Sequence, residues 1–395
     1  MKKIFKYFLL SLILIISACS ISNPESYNLE IELIKERHIP DKRLEYWNIQ
    51  IAKGEKEMIL SGATSSKAAY MELEKMAEQN NMDIQVELLP EKEFADNPWA
   101  LVTLSVCNIR AGGDHSAEML TQALLGTPVK IYKAEDGWYL IQTPDHYFGW
   151  VDEAAISQKS AEELAEWRTR EKVLYNRTSG HGYITSDLLN PELDLVMGDL
   201  LTVISSNPKT IQILLPDGRT AFVKKDECSS LAVWKEKHVD IDDLLATAFL
   251  FKGTPYLWGG TSPKMMDCSG FTKTDYYMQG VILQRDASQQ TLYGEEVDTG
   301  SGYENLEPGD LLFFGRKKTS EKPERVTHVG LYIGDSRFIH ESGKVRINSL
   351  DPQSEEYTEY YEKAFVRARR IVGHVEGQGI EWVVDNEFYK QVLSE

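Results

Sequence analysis

The sequence predicts an α+β fold in which a helical N-terminal region and two small β-barrels precede a larger mixed domain. Residues 24–96 are highly charged, with helical periodicity near 65–80. Two later stretches, 101–156 and 173–230, consist of short β-rich runs separated by Gly, Pro, Asp and Asn. From residue 238 onward the chain shows both helical periodicity and short β-rich runs. A chain of 395 residues with 42% hydrophobic residues is globular and too long for one core, so we expect several domains.

The two β-rich stretches resemble each other, which predicts a duplicated small β-barrel. We place the barrels at 97–158 and 170–232, between a helical domain at 24–96 with no assignable chemistry and a C-terminal domain at 238–395. The second stretch lacks the Gly-Trp pair of the first, so its assignment depends on register. The matching segments are 128–132 with 200–204, 139–145 with 211–218, and 149–151 with 221–223.

Cys268 is the first candidate for chemistry because it lies where a helix is expected to begin. Asp267 precedes it, apolar and aromatic residues recur at helical spacing over 271–278, and Gly280 ends the pattern. Backbone N–H groups and the positive end of the helix dipole would point at the thiol, so we expect its pKa to be lowered. A thiolate is the nucleophilic form of cysteine.

His328 and His340 are the candidate partners of this thiol. His328 lies on the polar face of a predicted strand, because apolar residues alternate over 329–333. Gly334-Asp335 predicts a tight turn that returns His340 near His328, although a register slip of one residue would turn His340 away. A thiol, a histidine that can act as its base and a second polar residue that orients this histidine together predict nucleophilic catalysis. The alternative is a buried cysteine with structural histidines.

Four further segments are distinctive: Gly-Thr-Pro-Tyr-Leu-Trp-Gly-Gly at 253–260, Asp-Cys-Ser-Gly-Phe at 267–271, Leu-Glu-Pro-Gly-Asp-Leu at 306–311 and Thr-His-Val-Gly at 327–330. In this order they resemble the NlpC family of papain-like cysteine peptidases of bacterial cell walls. The resemblance implies a papain-like fold for 238–395 and a metal-free, cofactor-free mechanism. It makes Cys268 the nucleophile, His328 the general base and His340 the residue that orients it. It also implies that the Tyr256 hydroxyl helps to stabilise an oxyanion, where the alternative is an aromatic core residue.

Both barrels resemble bacterial SH3-like domains. In the NlpC subgroup with two such domains, the first barrel closes one end of the groove and restricts substrates to those with a free amino terminus. Glu118 and Tyr147 are the candidate contributions of that barrel. Asp267 is a candidate second carboxylate for the ammonium, a helix cap contributing about 1 kcal/mol, or both. The further candidates for substrate binding are Trp258, Ser269 and Ser288.

The resemblance implies a γ-D-glutamyl-L-diamino acid endopeptidase. Its partners would be murein stem peptides, L-Ala-γ-D-Glu followed by diaminopimelate or Lys, cut after D-Glu through a Cys268 thioester to release L-Ala-D-Glu. One alternative is an endopeptidase that acts on stems still attached to muramic acid. The other is a peptidoglycan-binding lipoprotein with an inactive peptidase domain.

The N-terminus predicts export. Three lysines within the first six residues, an apolar run at 8–16 and Ile-Ser-Ala-Cys at 16–19 form a signal peptide that ends in a lipobox, with Cys19 as the lipidated residue. The alternative is an ordinary secretory signal cleaved after Ala18. Because Ser20 is not acidic, we expect a lipoprotein on the periplasmic face of the outer membrane if the organism has two membranes.

The net charge and the number of cysteines argue against a protein that binds nucleic acid or anionic lipid and against a fold held together by disulfides. A net charge of −18 disfavours nucleic acid and anionic lipid surfaces as partners, so membrane contact is expected through the lipid anchor only. After Cys19, the odd number of cysteines, Cys107, Cys228 and Cys268, argues against a disulfide framework.

Overall fold

The computed structural model describes residues 24–377 and 379–390, which form two compact units. One unit consists of residues up to Lys42 together with Tyr46–Leu88, and the other of Arg43–Glu45 together with the chain from Leu89 onward. The predicted signal peptide and its lipidation site, Cys19, lie outside the described residues and stay predictions. Within the described residues, no helix is both long and apolar enough to cross a membrane.

The first unit is a small α/β domain. Ser66 caps its second helix by accepting from the Ala69 backbone N–H, and Asn81 ends that helix in the left-handed conformation. The sheet order is β1-β2-β3, antiparallel between β1 and β2 and parallel between β2 and β3, so the second helix is a crossover connection. The elements are α1 (Pro24–His38), β1 (Trp47–Lys53), β2 (Met58–Thr64), α2 (Lys67–Asn80) and β3 (Asp83–Leu88).

The prediction of a helical domain at 24–96 is therefore incomplete. The helix expected near 65–80 is present, but a three-stranded sheet accompanies it. Two amphipathic helices leave an apolar stripe that another layer must cover, and Leu60 and Val86 of the sheet share one buried cluster with Leu73 and Met76 of α2. The apolar residues of β1 alternate with period two, but the charged residues on either side of that strand hid the pattern.

Two seven-stranded antiparallel sheets begin the second unit, and they have the same strand order. In the first sheet the order is β10-β4-β7-β8-β9-β5-β6, and in the second it is β17-β11-β14-β15-β16-β12-β13. The first contains β4 (Trp99–Val102), β5 (Val106–Arg110), β6 (Met119–Leu124), β7 (Pro128–Glu135), β8 (Trp138–Gln142), β9 (Phe148–Asp152) and β10 (Ile156–Gln158). After α3 (Ala161–Thr169), the second contains β11 (Lys172–Tyr175), β12 (Gly180–Tyr183), β13 (Pro191–Leu195), β14 (Leu200–Ser206), β15 (Thr210–Leu214), β16 (Thr220–Lys224) and β17 (Cys228–Ser230).

The sequence repeat matches this topology. The repeated segments lie on β7, β8 and β9 in the first sheet and on β14, β15 and β16 in the second, which occupy equivalent positions. Each sheet encloses its own buried apolar cluster, around Ile131 and Ile141 in the first and Ile211 and Ile213 in the second. Duplication is therefore present in strand order as well as in sequence.

The C-terminal domain packs a helix that begins at Cys268 against a six-stranded antiparallel sheet of order β21-β26-β22-β23-β24-β25. Phe271 and Tyr276 of the helix share a buried cluster with Phe313, Val329 and Leu331 of the sheet. The helices are α4 (Ala232–Glu236), α5 (Ile241–Leu250), α6 (Cys268–Met278), α7 (Ala287–Gln290) and α8 (Glu359–Ala364). The strands are β18 (Thr261–Ser262), β19 (Met265–Met266), β20 (Val281–Leu283), β21 (Glu295–Val297), β22 (Leu311–Arg316), β23 (Arg325–Gly334), β24 (Arg337–Glu341), β25 (Val345–Ser349), β26 (Phe365–Arg370) and β27 (Ile380–Trp382).

Candidate active site

Asp267 caps the helix on which Cys268 is the first residue. Its carboxylate accepts a hydrogen bond from the Gly270 backbone N–H at 2.8 Å, which satisfies one of the open donors of the first turn. Packing requires glycine at 270, because a Cβ there would lie 2.0 Å from the carbonyl oxygen of Gly260. The Asp-Cys-Ser-Gly sequence therefore sets both the start of α6 and its close approach to the preceding loop.

Arg285, which the sequence analysis did not identify, holds the Asp267 carboxylate in place. Arg285 is 1% exposed, and its guanidinium donates to the two carboxylate oxygens at 3.1 and 2.6 Å. Burial alone would lower the pKa of Arg285, but the Asp267 carboxylate raises it above its ordinary value. The other donors to Asp267 are the N–H groups of Gly259 and Gly270 and the hydroxyl of Ser269.

These contacts support the helix-cap role predicted for Asp267. Its oxygens accept five hydrogen bonds and Arg285 balances its charge. The role of Asp267 toward a substrate ammonium stays a prediction. Ser269 is 4% exposed, donates to Asp267 at 3.1 Å and accepts from Arg285 at 3.0 Å, so its hydroxyl supports the ion pair, and its role in substrate binding stays a prediction.

The environment of the Cys268 thiol differs from the expected one. Burial raises its pKa to about 12, with the negative charge of Asp267 adding to the effect. The N–H of Val329, the Arg285 cation and the N–H of Ser269 oppose this increase but do not overcome it. The expectation of a lowered pKa at the helix start was therefore wrong, because desolvation outweighs the backbone donors. The resting thiol is neutral and needs a base to remove its proton.

A two-residue hairpin loop brings the two histidines together. Asp335 and Ser336 both have positive φ, at 52° and 58°, as a type I′ turn requires, and β23 and β24 pair on either side. Nε2 of His328 lies 2.7 Å from Nδ1 of His340. Gly330 leaves room for this arrangement, because a Cβ there would lie 3.0 Å from the Cβ of His340.

Asn348 on β25 fixes the direction of the hydrogen bonds through both imidazoles. Its Nδ2 donates to the Glu356 carbonyl and to the Thr358 hydroxyl, each at 2.9 Å, so its Oδ1 must face Nε2 of His340, 2.9 Å away. An amide oxygen only accepts, so His340 carries its proton on Nε2 and accepts at Nδ1 from His328. His328 then keeps a lone pair on Nδ1 and can act as a base.

Burial keeps both imidazoles neutral, as this arrangement requires. It lowers the pKa of His328 to about 4 and, together with the charge of His328, lowers the pKa of His340 to about 3. The buried ring of Tyr361, on α8, packs against both, with its centroid 5.7 Å from His328 and 4.8 Å from His340. Tyr361 thus excludes water from the pair.

The remaining predicted catalytic residue, Tyr256, lies half-buried near the thiol. Burial raises the pKa of its hydroxyl above the ordinary value. The hydroxyl is therefore a proton donor throughout the neutral range. A donor here fits the predicted stabilisation of an oxyanion, which stays a prediction.

The first barrel places its predicted substrate-binding residues against the C-terminal domain. Glu118 accepts from the indole N–H of Trp258 at 2.8 Å, and the Trp258 side chain is 66% exposed. Tyr147 is buried and donates to the Asp286 carboxylate at 3.2 Å. Ser288, also predicted, is exposed beside Asp286 on the first turn of α7. The structure thus groups Glu118 with Trp258 and Tyr147 with Asp286.

Within 24–377 and 379–390, no three His, Cys, Asp or Glu side chains form a group that could hold a metal ion. Cys107, Cys228 and Cys268 are free thiols.

Comparison with known proteins identifies the family. The model of the NlpC/P60 family matches residues 253–370, and the model of the bacterial dipeptidyl-peptidase Sh3 domain matches residues 109–156. A Bacillus cereus protein named gamma-D-glutamyl-L-lysine dipeptidyl-peptidase is 31% identical over 265 residues, which cover 64% of this chain and 75% of that protein. The chain belongs to the NlpC/P60 family. It is a cysteine peptidase, as the sequence predicted.

Two further comparisons support the NlpC/P60 assignment. Dipeptidyl-peptidase 6 of Lysinibacillus sphaericus is 27% identical over 278 residues, which cover 64% of this chain and 92% of that protein. The crystal structure of an NlpC/P60 family protein from Bacillus cereus superimposes with a TM-score of 0.60 at 25% identity, covering 69% of this chain and 99% of that one. The predicted family and α+β fold are confirmed. The SH3 model does not extend to the second barrel, whose assignment stays a prediction.

Four residues of this NlpC/P60 site were not predicted. Arg285 and Asp286 begin the segment 285–290, which contains Ser288, and an Arg-Asp pair beside a predicted site residue was the available signal. Asn348 and Tyr361 had no such signal, because each lies on an element whose approach to the histidines depends on the tertiary fold.

We predict that replacing Asn348 with Leu lowers kcat by about tenfold or more and leaves KM unchanged. The substitution removes the acceptor that fixes the imidazole tautomers, and general-base catalysis contributes roughly 10²–10⁴-fold to such reactions. Steady-state kinetics on a cleaved peptide measures both constants. The control is Asn305→Leu, which removes an amide that donates to the Asp298 carbonyl at 2.9 Å. A kcat within twofold of wild type in a folded Asn348→Leu variant would contradict the assignment.

We also predict that kcat/KM keeps its neutral value down to about pH 5 and falls near pH 4. The pKa of His328 is lowered to about 4, so the ring stays neutral and able to accept a proton above that pH and loses this capacity below it. A pH profile of kcat/KM tests this, with near-UV circular dichroism over the same range to detect unfolding. An acid limb centred near 6.5, the ordinary pKa of histidine, would show that burial does not control the base.

Proposed function

We propose that the protein is a γ-D-glutamyl-L-diamino acid endopeptidase that acts on murein peptides with a free N-terminal L-Ala. The names of the Bacillus cereus and Lysinibacillus sphaericus relatives support a dipeptidyl-peptidase activity of this kind. The bacterial dipeptidyl-peptidase Sh3 domain matched at 109–156 agrees with it. Such an enzyme releases L-Ala-D-Glu from the diamino acid that follows.

The observation that carries the proposal is the position of the first barrel at the site. Thr121 accepts from Nε of Arg285 at 3.0 Å, and Arg285 in turn holds Asp267 beside the nucleophile. Glu118 on the same barrel bonds to Trp258, and Tyr147 bonds to Asp286. The barrel is therefore tied to the loop before Cys268 and to the start of α7. A peptide bound across Cys268 would have one end limited by this barrel.

The charges at that end suit an ammonium group. Glu118 is exposed and takes one hydrogen bond from Trp258 on Oε1, so it keeps acceptor capacity for a ligand. A free α-ammonium would pair with this carboxylate, whereas an acylated nitrogen carries no charge to balance it. Binding an acylated peptide would desolvate Glu118 without a partner, which costs free energy. The site therefore favours uncapped peptides.

The proposed reaction begins with the neutral thiol. His328 Nδ1 takes the proton from Cys268 as the sulfur attacks the γ-carbonyl carbon of D-Glu, and the Cys268 N–H with the Tyr256 hydroxyl stabilises the oxyanion. The resulting imidazolium protonates the leaving α-amine of the diamino acid, which breaks the amide bond and leaves a thioester. His328 then removes a proton from water, which attacks the thioester and regenerates the thiol.

We predict that the wild-type enzyme releases L-Ala-D-Glu from L-Ala-γ-D-Glu-diaminopimelate at least tenfold faster, in kcat/KM, than it cleaves the muramoyl-capped counterpart. Selectivity of this size follows when a bound ligand desolvates a charged group of the site, here the Glu118 carboxylate, without supplying a cationic partner. Mass spectrometry of the products gives both the rate and the bond that is cut, and a peptide ending in Lys measures the preference for the diamino acid.

Cys268→Ala should abolish cleavage, and the matched control Cys107→Ala, which removes another buried thiol, should retain it. Glu118→Gln should raise KM for the free peptide. Faster cleavage of the capped peptide would instead indicate an endopeptidase on intact stems. No cleavage of either peptide by wild type would indicate a peptidoglycan-binding protein and would overturn the proposal.

A further inference from the structure

Arg43 contacts the predicted substrate pocket from a segment outside both family matches. The matched residues are 109–156 and 253–370, whereas Arg43 belongs to a three-residue segment, Arg43–Glu45, that packs with the second unit. One nitrogen of its guanidinium donates to the Asp286 carboxylate at 2.8 Å and to the Ser288 hydroxyl at 2.9 Å. Arg43 thus contacts Ser288, which was predicted to bind substrate. It also contacts Asp286, which accepts a hydrogen bond from Tyr147, another residue predicted to bind substrate.

The backbone of Arg43 is fixed as well as its side chain. Its carbonyl accepts a hydrogen bond from the Phe148 N–H at 2.9 Å, and Phe148 is the first residue of β9, directly after Tyr147. One residue therefore bonds through its backbone to the first barrel and through its side chain to the start of α7. We call this connection, from Phe148 through Arg43 to Asp286 and Ser288, the Arg43 strap.

We propose that Arg43 is a specificity-determining residue that closes the amino end of the groove and excludes peptides whose N-terminal nitrogen is acylated. This inference rests on the proposed function, because it concerns the same free-amine preference. The strap runs beside Tyr147, which was predicted to contribute to the amino end of the groove, and it ends at Asp286 and at Ser288, a further residue predicted for substrate binding. An acyl group on that nitrogen would extend toward the position that the strap occupies.

The charge balance of the pocket agrees with the proposed preference for a free ammonium. Asp267 and Arg285 neutralise each other, and Arg43 neutralises Asp286, whose Oδ2 also accepts from Tyr147. Glu118 then remains as the one carboxylate without a cationic partner among these residues, so they carry a net charge of about −1. A single ammonium balances this charge, and a neutral acyl amide does not. The role proposed for Arg43 itself is steric, and Arg285 remains 4.0 Å from Asp286 when the Arg43 side chain is removed.

The Arg43 side chain can be removed without disturbing the fold. The side chains of Arg43 and Asp286 are 27% and 32% exposed, and ion pairs of this exposure contribute little to stability. Arg43→Ala is therefore expected to fold with the melting temperature of wild type, so changes in its selectivity report on the pocket.

The test is the ratio of kcat/KM for L-Ala-γ-D-Glu-L-Lys to that for the N-acetylated peptide, measured for wild type and three variants. Arg43→Ala should lower this ratio about fivefold or more by improving cleavage of the acetylated peptide. Arg43→Lys, which keeps the charge, should retain most of the ratio. The matched control Arg219→Ala removes an arginine paired with Asp217 at 2.7 Å in the second barrel and should leave the ratio unchanged.

Each other outcome overturns the inference in a distinguishable way. An unchanged ratio in Arg43→Ala, with wild type still preferring the free peptide, removes the strap as a determinant and leaves the proposed function intact. A higher ratio means that Arg43 competes with the substrate ammonium and does not act as a wall. Failure of wild type to cleave either peptide removes the proposed function and this inference together.

Discussion

The buried ion pair between Asp267 and Arg285 is the interaction on which the site depends. Asp267 starts the helix that carries Cys268 and fixes the N–H of Gly259 in the preceding loop, while Arg285 reaches Thr121 of the first barrel. Removing one partner of such a pair leaves an uncompensated buried charge, which costs about 3–5 kcal/mol. The same contact thus connects the start of the Cys268 helix, the loop before it and the first barrel.

The pair also bears on how the thiol is activated. Asp267 adds negative charge beside a desolvated sulfur, and the pKa of Cys268 rises to about 12, while the two imidazoles remain neutral. A preformed thiolate and imidazolium is therefore not the resting state. In the proposed mechanism, activation depends on a lone pair at Nδ1 of His328, and the hydrogen bonds from His328 through His340 to Asn348 keep that lone pair available. The direction of the hydrogen bonds through the two imidazoles therefore organises the site more than a preformed thiolate–imidazolium ion pair does.

Local patterns predicted much of the fold and the central residues of the site. The helix start at Cys268, the hairpin that pairs His328 with His340, and the barrel repeat all follow from spacing within short segments. Arg285, Asn348 and Tyr361 could not be predicted in this way, because their roles arise from contacts between distant elements. The lowered thiol pKa was predicted from the helix alone and was wrong, since burial is a tertiary property. The sheet of the first unit was missed because charged neighbours obscured its alternation.

The most direct test of the central claim is a crystal structure of the Cys268→Ala variant with L-Ala-γ-D-Glu-diaminopimelate bound. The account predicts the L-Ala ammonium within hydrogen-bond distance of Glu118, next to Tyr147 and the Arg43 strap, with the γ-carbonyl carbon over residue 268 and its oxygen toward Tyr256. A peptide bound in the opposite direction, with its amino end away from the first barrel, would contradict it.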